Sequence, residues 1–480
     1  MIVYVANLLG MRSRSLKRSL AILLMIAASR HGAAQAEAVA FPLGAIVPHI
    51  TCLADSKQSY ALYLPSTFSA TRKWPIIYVF DPFAHGPAAT EIVRAAAERF
   101  GYIVVASNNS KNGPAGGSRD AAQAMWQDTH QRLPIDPNRQ YFAGLSGGAR
   151  VATSLALSCG NCAAGVIANA AGFPTNAMPS AQMKFAYFAT VGDADFNYAE
   201  FAQLRPRLDA IGVHYVIRSF DGPHGWAPAD VWLEALEWMD LQAMAAGTLQ
   251  RDPARIQSAL DAGLARAKLF EAKGDLLDSY REYQAVVRNF RDLASVSSAQ
   301  ERVSALQKSK ELRKAQKQES EGIELQERLE ATPSEQMQKL PTAELDAMAF
   351  GELRSSIADL KQQASSSGKG SLVTGRALSG LVVQAYEAGQ DSMDRKNYSV
   401  ALQYFELAAA GSANPARAHY ERARIYAITS DKKSMLSELR KCLAAGVHDA
   451  SALDTEEFQQ YRDQPDFKDI ADQWKRKTVP

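Results

Sequence analysis

One segment near residue 140 constrains the fold of this chain more than any other. An apolar run, Tyr141 to Ala143, is followed at once by Gly144-Leu-Ser-Gly-Gly148 and then by small helix-forming residues. This order predicts a buried strand that ends in a sharp turn and leads into a helix. A serine on such a turn, here Ser146, needs neighbours without side chains, because the backbone bends sharply and a ligand must come close. The G-x-S-x-G spacing in this setting is typical of a nucleophilic serine, and the alternative is a glycine-rich turn that caps a helix.

Two later segments end in loops that carry an acid and a base. The run 185–191 predicts a second buried strand, and Asp193 and Asp195 lie in the turn after it. The run 215–220 predicts a third strand, and His224 lies in the Gly-Pro turn that follows. An aspartate that orients a histidine next to a serine is the arrangement that activates a hydroxyl as a nucleophile. Either aspartate could do this, and the other would make local hydrogen bonds in the turn.

The order of serine, aspartate and histidine along the chain resembles that of the α/β-hydrolases. The likeness is greatest to compact esterases of the dienelactone-hydrolase, feruloyl-esterase and polyhydroxybutyrate-depolymerase types. It covers roughly residues 40–245, and besides the serine turn it rests on the lines Tyr60–Pro65, Leu133–Arg139 and His224–Trp226.

The resemblance implies a catalytic triad. Ser146 would attack an acyl carbon, His224 would transfer the proton, and an aspartate would orient His224. Family members place the acid three residues after a glycine that ends the strand, here Gly192, so we prefer Asp195 to Asp193.

The resemblance also implies two backbone donors to a developing oxyanion. One is the N–H of Gly147, the residue after the nucleophile, and the other comes from the loop after the strand Pro75–Phe80. Many relatives carry His-Gly directly after this strand, but this chain has Asp81-Pro82. Since proline has no N–H, we expect the second donor to be Phe83, with Ala84 as the alternative.

The walls of the site are also predicted from the loops. His85-Gly86 is either a displaced form of the missing motif or a polar loop. The loops Asn108–Ser118 and Ala171–Ser180 are rich in Gly, Pro and Asn and are the expected pocket walls. The short stretch between Ser146 and His224 leaves no room for a large inserted cap, so we expect a shallow and open site.

The rest of this region alternates apolar strand-like runs with helical stretches. Such alternation predicts an α/β fold, a doubly wound and mostly parallel sheet covered on both faces. The further predicted elements are an early hairpin of Ile46–Cys52 and Tyr60–Leu64, strands at Tyr102–Ser107 and Gly165–Asn169, and a helix around Ala88–Phe100.

The N-terminus has the pattern of an export signal. Basic residues between Arg12 and Arg18 precede the apolar run Leu20–Ala28, and Ala34-Gln-Ala36 matches the small-x-small rule for cleavage. We predict a signal peptide at 1–36, cleavage after Ala36, and a periplasmic or secreted protein without a membrane span in the mature chain. The alternatives are a start at Met11 and an uncleaved anchor. In an exported protein, Cys159-Gly-Asn-Cys162 predicts a local disulfide, and Cys442 fits a small core residue.

The chain changes character near residue 248. Strand-like runs give way to Ala, Leu, Glu, Gln, Lys and Arg at helical spacing. We therefore predict a hydrolase-like domain at 37–247, a helical region at 248–362, a flexible linker at 363–374 and further helices at 375–480. A chain of 480 residues is long enough for two or more domains.

A weak repeat is present in the helical half, with small and large residues at a spacing of twelve, four and three. This spacing, and the period of 34 between the last two copies, is similar to that of tetratricopeptide repeats, and the alternative is a generic helical bundle. The three copies are Ala267, Ser279, Tyr283 and Val286; Gly389, Ala401, Phe405 and Ala408; and Ala423, Met435, Leu439 and Cys442.

Together these features predict an exported serine hydrolase that cleaves carboxylic esters, with helical repeats that bind a protein. Its substrate would be a small or polymer-linked ester. The balance of 53 basic and 51 acidic residues argues against nucleic acid as the main partner, and no pattern indicates a metal or organic cofactor. The alternatives are a non-catalytic tetratricopeptide interaction protein on a degenerate hydrolase scaffold, and a peptidase or thioesterase on the same fold.

Overall fold

A single mixed sheet forms the centre of the N-terminal half. The computed structural model describes residues 41–113, 115–342, 345–366, 369–446 and 451–478, and the predicted signal peptide lies outside them. The strands are β1 (Ile46–Thr51), β2 (Ser59–Tyr63), β3 (Trp74–Phe80), β4 (Ile103–Ser107), β5 (Ile135–Leu145), β6 (Gly165–Asn169), β7 (Ala186–Gly192) and β8 (Tyr215–Phe220).

The order of the strands in the sheet is β1-β2-β4-β3-β5-β6-β7-β8. The pairs of β1 with β2 and of β2 with β4 are antiparallel, and all later pairs are parallel. Parallel neighbours need crossover helices, which cover both faces of the sheet. The predicted fold class, a doubly wound and mostly parallel sheet of the α/β-hydrolase type followed by an all-α region, is confirmed.

Two apolar cores lie on the two faces of the sheet. Because side chains alternate along a strand, Ile76 and Tyr78 belong to one core, and Ile77 and Val79 to the other. The crossover helices are α1 (Gly86–Phe100), α2 (Ala115–Arg132), α3 (Gly147–Ser158), α4 (Tyr198–Ile211) and α5 (Ala229–Ala245). Helices α2, α3 and α4 cover the first core, and α1 and α5 cover the second core.

The described part of the C-terminal half is built from helices. They are α6 (Pro253–Ala272), α7 (Leu276–Phe290), α8 (Ser297–Leu306), α9 (Lys310–Gln338), α10 (Ala347–Ala364), α11 (Lys369–Asp394), α12 (Tyr398–Gly411), α13 (Ala416–Ile428), α14 (Lys432–Ala444) and α15 (Pro465–Thr478). Within the described residues, no helix is both long enough and apolar enough to cross a membrane.

Three helix pairs carry the repeated pattern of small and large residues. In α6/α7, α11/α12 and α13/α14, the first residue of the pattern lies on the first helix and the other three lie on the second. Their contacts are close: Ser279 Oγ donates a hydrogen bond to the carbonyl of Ala267 (2.9 Å), and a Cβ on Gly389 would approach the Phe405 ring to 2.8 Å. The pattern therefore marks helix–helix contacts, while its assignment to tetratricopeptide repeats stays a prediction.

The connection between α10 and α11 is shorter than the predicted linker at 363–374. Helix α10 continues to Ala364 and α11 already begins at Lys369. Gly370 and Ser371 have low intrinsic helix propensity. The apolar positions of α11, such as Leu378, Leu381 and Ala385, are buried against neighbouring helices, and such packing supplies most of the stability of helices in proteins.

Helix α7 packs on the edge of the sheet. The side chains of Arg288 and Asn289 donate hydrogen bonds to the backbone carbonyl of Tyr215 on β8 (3.2 and 3.1 Å). Buried Arg218 on β8 forms ion pairs with Glu234 on α5 and Glu282 on α7. An exposed edge strand is a template for aggregation, so α7 protects the sheet at this side.

The cysteine predictions are confirmed. Cys159 and Cys162 form a disulfide directly after α3. Cys442 is a buried free cysteine in the core formed by α13, α14 and α15.

Candidate active site

Ser146 lies on a strained turn between β5 and α3. Its φ angle is 53°, a left-handed value that residues with a Cβ rarely adopt. Strain of this kind persists only where the surroundings hold it. The N–H of Ser146 donates to the carbonyl of Asn169 (2.8 Å), which fixes the turn to the end of the neighbouring strand β6.

The glycines around Ser146 are required by close approaches of the backbone. A Cβ on Gly144 would lie 2.3 Å from the carbonyl of Gly148, and one on Gly148 would lie 2.0 Å from the carbonyl oxygen of Phe80. The turn therefore packs directly against the end of β3. This packing gives a structural reason for the spacing in the sequence.

Asp195 and His224 are joined by a hydrogen bond. His224 Nδ1 lies 2.9 Å from Asp195 Oδ1, and the same oxygen accepts the N–H of Asn197 (2.8 Å). The carboxyl group of Asp195 is fully buried, and the His224 side chain is 18% exposed. The ring of Phe196 stacks on that of His224 with centroids 4.2 Å apart. The imidazole is thus held on one edge and one face.

Asp193, the alternative acid, has a different contact. Its Oδ1 accepts the N–H of Gly222 (3.1 Å), which ties the turn after β7 to the turn after β8. This is the local turn role that we expected of the second aspartate. Of the two acids, Asp195 is the one that contacts His224.

The loop that carries His224 turns back towards Ser146. Strands β5 and β8 are separated by two others, so their ends lie about 14 Å apart at about 4.8 Å per strand. The loop after β8 crosses the end of β7, where the N–H of Ala194 donates to the carbonyl of Gly222 (3.0 Å). Within the described residues, no hydrogen bond joins the Ser146 hydroxyl to His224. Such bonds are often long in ligand-free enzymes and shorten when substrate binds.

Asn169 at the end of β6 connects the serine turn with the histidine loop. Its side chain donates to the carbonyl of Gly144 (3.1 Å) and accepts from the Thr190 hydroxyl (2.9 Å) and the N–H of Ala227 (3.4 Å). The side chain is fully buried. We did not predict this residue, although a polar residue at the carboxyl end of a buried strand was a signal that it faces a site.

The N–H groups of Gly147 and Phe83, the two predicted oxyanion donors, have different surroundings. Gly147 begins α3, and its N–H is one of the free donors at a helix N-terminus. The N–H of Phe83 instead donates to Asp81 Oδ1 (2.8 Å), and that of Ala84 donates to the Asp81 carbonyl (3.2 Å). The prediction of Phe83 is therefore wrong. The reason is an Asx-type turn, in which an aspartate accepts the N–H two residues later.

Helices α9 and α11 cover the carboxyl edge of the sheet. Gln326 on α9 donates to the carbonyl of Phe196 (2.8 Å), and Arg376 on α11 donates to the carbonyl of Asp193. A Cβ on Gly380 would lie 3.3 Å from that of Phe196. About three turns after Arg376, Glu387 on α11 accepts a hydrogen bond from Asn112 Nδ2 (2.9 Å).

Parts of α9 and α11 therefore lie at the edge of the sheet that we expected to be open. Arg376 and Glu387 are about 16 Å apart along the helix, and they contact loops on opposite sides of Ser146. Ser146, Gly147 and His224 are only partly exposed. Helices α9 and α11 begin 86 and 145 positions after His224 (310 − 224 and 369 − 224), so the spacing between Ser146 and His224 contained no signal for them.

A cavity of about 590 Å³ opens at the other end of the sheet. Its lining includes Ala164, Ala186 and His214, which lie at the starts of β6, β7 and β8. It is therefore remote from Ser146. Among the described residues, no group of three or more His, Cys, Asp or Glu side chains could hold a metal ion.

Several solved structures are similar to a part of this chain. An S-formylglutathione hydrolase from Staphylococcus aureus is 14% identical, with a TM-score of 0.33 over 42% of this chain and 99% of its own. A ferulic acid esterase is 19% identical, with a TM-score of 0.34 over 40% of this chain and 95% of its own. A Pyrobaculum calidifontis esterase is 13% identical, with a TM-score of 0.34 over 42% and 86%. Neither a protein-family model nor a curated protein matches the sequence.

Proposed function

We propose that this protein is a serine hydrolase that cleaves carboxylic esters through an acyl-enzyme intermediate. The observation that carries the proposal is the hydrogen bond between buried Asp195 and His224, in a loop that turns back towards the strained Ser146. A buried carboxylate that binds Nδ1 keeps the other ring nitrogen, Nε2, available as a base.

The proposed reaction has two steps. Ser146 Oγ attacks the ester carbon while His224 Nε2 takes its proton, and the N–H of Gly147 binds the oxyanion. The intermediate collapses, the alcohol leaves with the proton from His224, and the acyl group stays on Ser146. Water, activated by the same imidazole, then releases the carboxylic acid and restores the serine.

The test is covalent labelling and turnover with and without the nucleophile. We expect a fluorophosphonate probe to label the wild-type protein and p-nitrophenyl esters to be hydrolysed. Ser146→Ala should abolish both, whereas Ser154→Ala, an exposed serine on α3, should change neither. Wild-type protein without Ser146-dependent labelling or turnover would refute the proposal. A panel of short and long acyl esters, feruloyl esters, thioesters and peptides distinguishes an esterase from a thioesterase or peptidase.

One observation favours the non-catalytic alternative, an interaction protein on a hydrolase scaffold. The amides of Phe83 and Ala84 are both bound to Asp81, so the loop that usually gives the second oxyanion donor offers neither of them. This alternative predicts an intact fold without turnover of any ester in the panel.

Export and partner binding complete the proposal. The disulfide between Cys159 and Cys162 supports an oxidising compartment, in agreement with a signal peptide at 1–36. Fractionation of cells that express the full chain, with N-terminal sequencing of the product, tests cleavage after Ala36. A protein partner for the helical repeats would have to bind faces that α7, α9 and α11 do not use against the hydrolase half.

A further inference from the structure

We propose that Val383 on α11 is a specificity-determining residue that lies opposite Ser146 and limits the length of the acyl group. This inference rests on the proposed function and names its substrate class, esters of short, apolar acyl groups. Val383 comes from the helical half of the chain. The C-terminal helices would therefore select the substrate of a nucleophile that lies on the N-terminal half.

One face of α11 is turned towards the carboxyl edge of the sheet. Residues that are three or four positions apart lie on the same face of a helix. This spacing relates Arg376, Gly380, Val383 and Glu387. The first two and the last of these each meet a loop at the carboxyl edge. Val383 lies between them on the same face, so its side chain points towards that edge as well.

On the side of His224, α11 lies against Phe196. A Cβ on Gly380 would be 3.3 Å from the Cβ of Phe196. The ring of Phe196 in turn stacks on that of His224, with centroids 4.2 Å apart. A single aromatic side chain therefore separates α11 from the imidazole.

On the side of Gly147, α11 lies against Asn112. The Nδ2 atom of Asn112 donates to Glu387 (2.9 Å), and its Oδ1 atom would be 1.9 Å from a Cβ on Gly147. A single carboxamide therefore separates α11 from the residue that follows Ser146.

Val383 lies between these two contacts. Along the helix axis it comes about 4.5 Å after Gly380 and about 6 Å before Glu387. Ser146 precedes Gly147, and the loop of His224 turns back towards it, so Ser146 lies below the same interval of α11. Both Val383 and Ser146 are partly exposed. An acyl group on Ser146 can therefore lie beneath the Val383 side chain.

The chemistry of this space favours a short, apolar acyl group. In the proposed reaction the N–H of Gly147 binds the oxyanion and His224 protonates the leaving alcohol, so the acyl chain extends away from both. Burial of apolar surface against Val383 is favourable, and burial of an unpaired polar group is costly. The β-branched side chain of valine is stiff. With one layer of side chains between α11 and the serine turn, a longer chain meets Val383.

The test is the acyl-length profile of kcat/KM for p-nitrophenyl esters from acetate to octanoate. Wild type should prefer butyrate to octanoate at least about tenfold, and Val383→Ala should raise the octanoate-to-butyrate ratio about tenfold, since removal of methyl groups from an apolar pocket has effects of this size. Val383→Phe should lower the butyrate-to-acetate ratio, because the larger ring leaves space for a shorter chain.

Val382→Ala is the matched control, the same substitution one position earlier. Val382 faces helix α12, where a Cβ on Gly411 would be 2.6 Å from its Cγ2 atom. Val382→Ala should therefore keep the wild-type acyl-length profile even if its melting temperature falls. Circular dichroism shows whether each variant is folded, and Val383→Ala decides the question by itself if Val383→Phe is not.

The outcomes are distinguishable from a failure of the proposed function. A wild-type preference for octanoate, or an unchanged profile in Val383→Ala, would overturn this inference and leave the esterase proposal intact. Equal changes of the profile in Val383→Ala and Val382→Ala would show a general loosening of α11 and would overturn it too. Wild-type protein without Ser146-dependent turnover would overturn both proposals.

Discussion

At the scale of single residues, two aspartates two positions apart have separate contacts. Asp195 binds His224, and Asp193 binds the backbone of the histidine loop. Asp195 Oδ2 is buried and has no hydrogen-bond partner among the described residues. A buried carboxylate with an unpaired oxygen is costly, and the contacts of Oδ1 with His224 Nδ1 and the N–H of Asn197 offset part of that cost.

This division of roles predicts different effects of the same substitution. Asp195→Asn should lower kcat about 10⁴-fold, because an amide no longer stabilises the imidazolium or selects the productive tautomer. Asp193→Asn keeps an oxygen that accepts the N–H of Gly222, so kcat should stay within about tenfold of wild type. Steady-state hydrolysis of a p-nitrophenyl ester measures both. A larger loss in Asp193→Asn would show that our assignment of the acid is reversed.

At the scale of elements, helix α9 carries Glu330, a carboxyl group with a raised pKa, near the carboxyl edge of the sheet. Glu330 lies against α11, where a Cβ on Gly380 would be 3.2 Å from its Oε1. Gln326 donates to the same oxygen (3.0 Å) and to the carbonyl of Phe196 (2.8 Å). Burial raises the pKa of Glu330 from 4.5 to about 7, although the hydrogen bond from Gln326 opposes this.

The raised pKa predicts a stability that depends on pH. Between pH 4.5 and about 7 the folded chain keeps the proton on Glu330 and the unfolded chain has lost it. This contribution to the free energy of unfolding is thus fully present below pH 4.5 and is lost as the pH rises through about 7. The melting temperature of Glu330→Gln minus that of wild type should therefore increase as the pH rises from 5 to 8. Glu324→Gln, exposed on the same helix, is the control. A constant difference between Glu330→Gln and wild type would contradict the prediction.

At the scale of the whole molecule, residues 41–480 form one compact unit. The C-terminal end of α5 and helix α6 share one apolar core, in which Leu241 and Met244 pack with Ile256 and Leu260. The edge strand β8 depends on α7 for the hydrogen bonds to Tyr215. The two halves differ in composition but share their buried surface.

This shared surface predicts that the N-terminal half is not stable alone. A fragment of residues 41–247 should aggregate, because it exposes the edge of β8 and the apolar end of α5. Size-exclusion chromatography measures the aggregation, and co-expression of residues 248–480 should restore a soluble complex. In calorimetry, residues 41–480 should unfold in a single transition. A soluble, monomeric and active fragment would contradict the prediction.

The local elements and the order of the site residues were predictable from the sequence. Buried strands such as those at 75–80 and 215–220 are continuous apolar runs, and the serine turn has a glycine spacing that follows from backbone contacts. The Asx turn that binds the N–H of Phe83 was not predicted, although Asp81 followed by Pro82 is a pattern typical of it. The contact between Asn112 and Glu387 spans 275 positions, and no local pattern indicates it.

The sequence by itself determined the strands, the strained serine turn and the chain order of Ser146, Asp195 and His224. It could do so because side-chain periodicity and turn chemistry act over a few residues. Only the tertiary structure decided which aspartate contacts His224, which N–H groups are bound by Asp81 and which helices lie at the carboxyl edge of the sheet. Those outcomes depend on the packing of segments far apart in the chain, where burial and hydrogen bonding between elements select one arrangement from many that the local patterns allow.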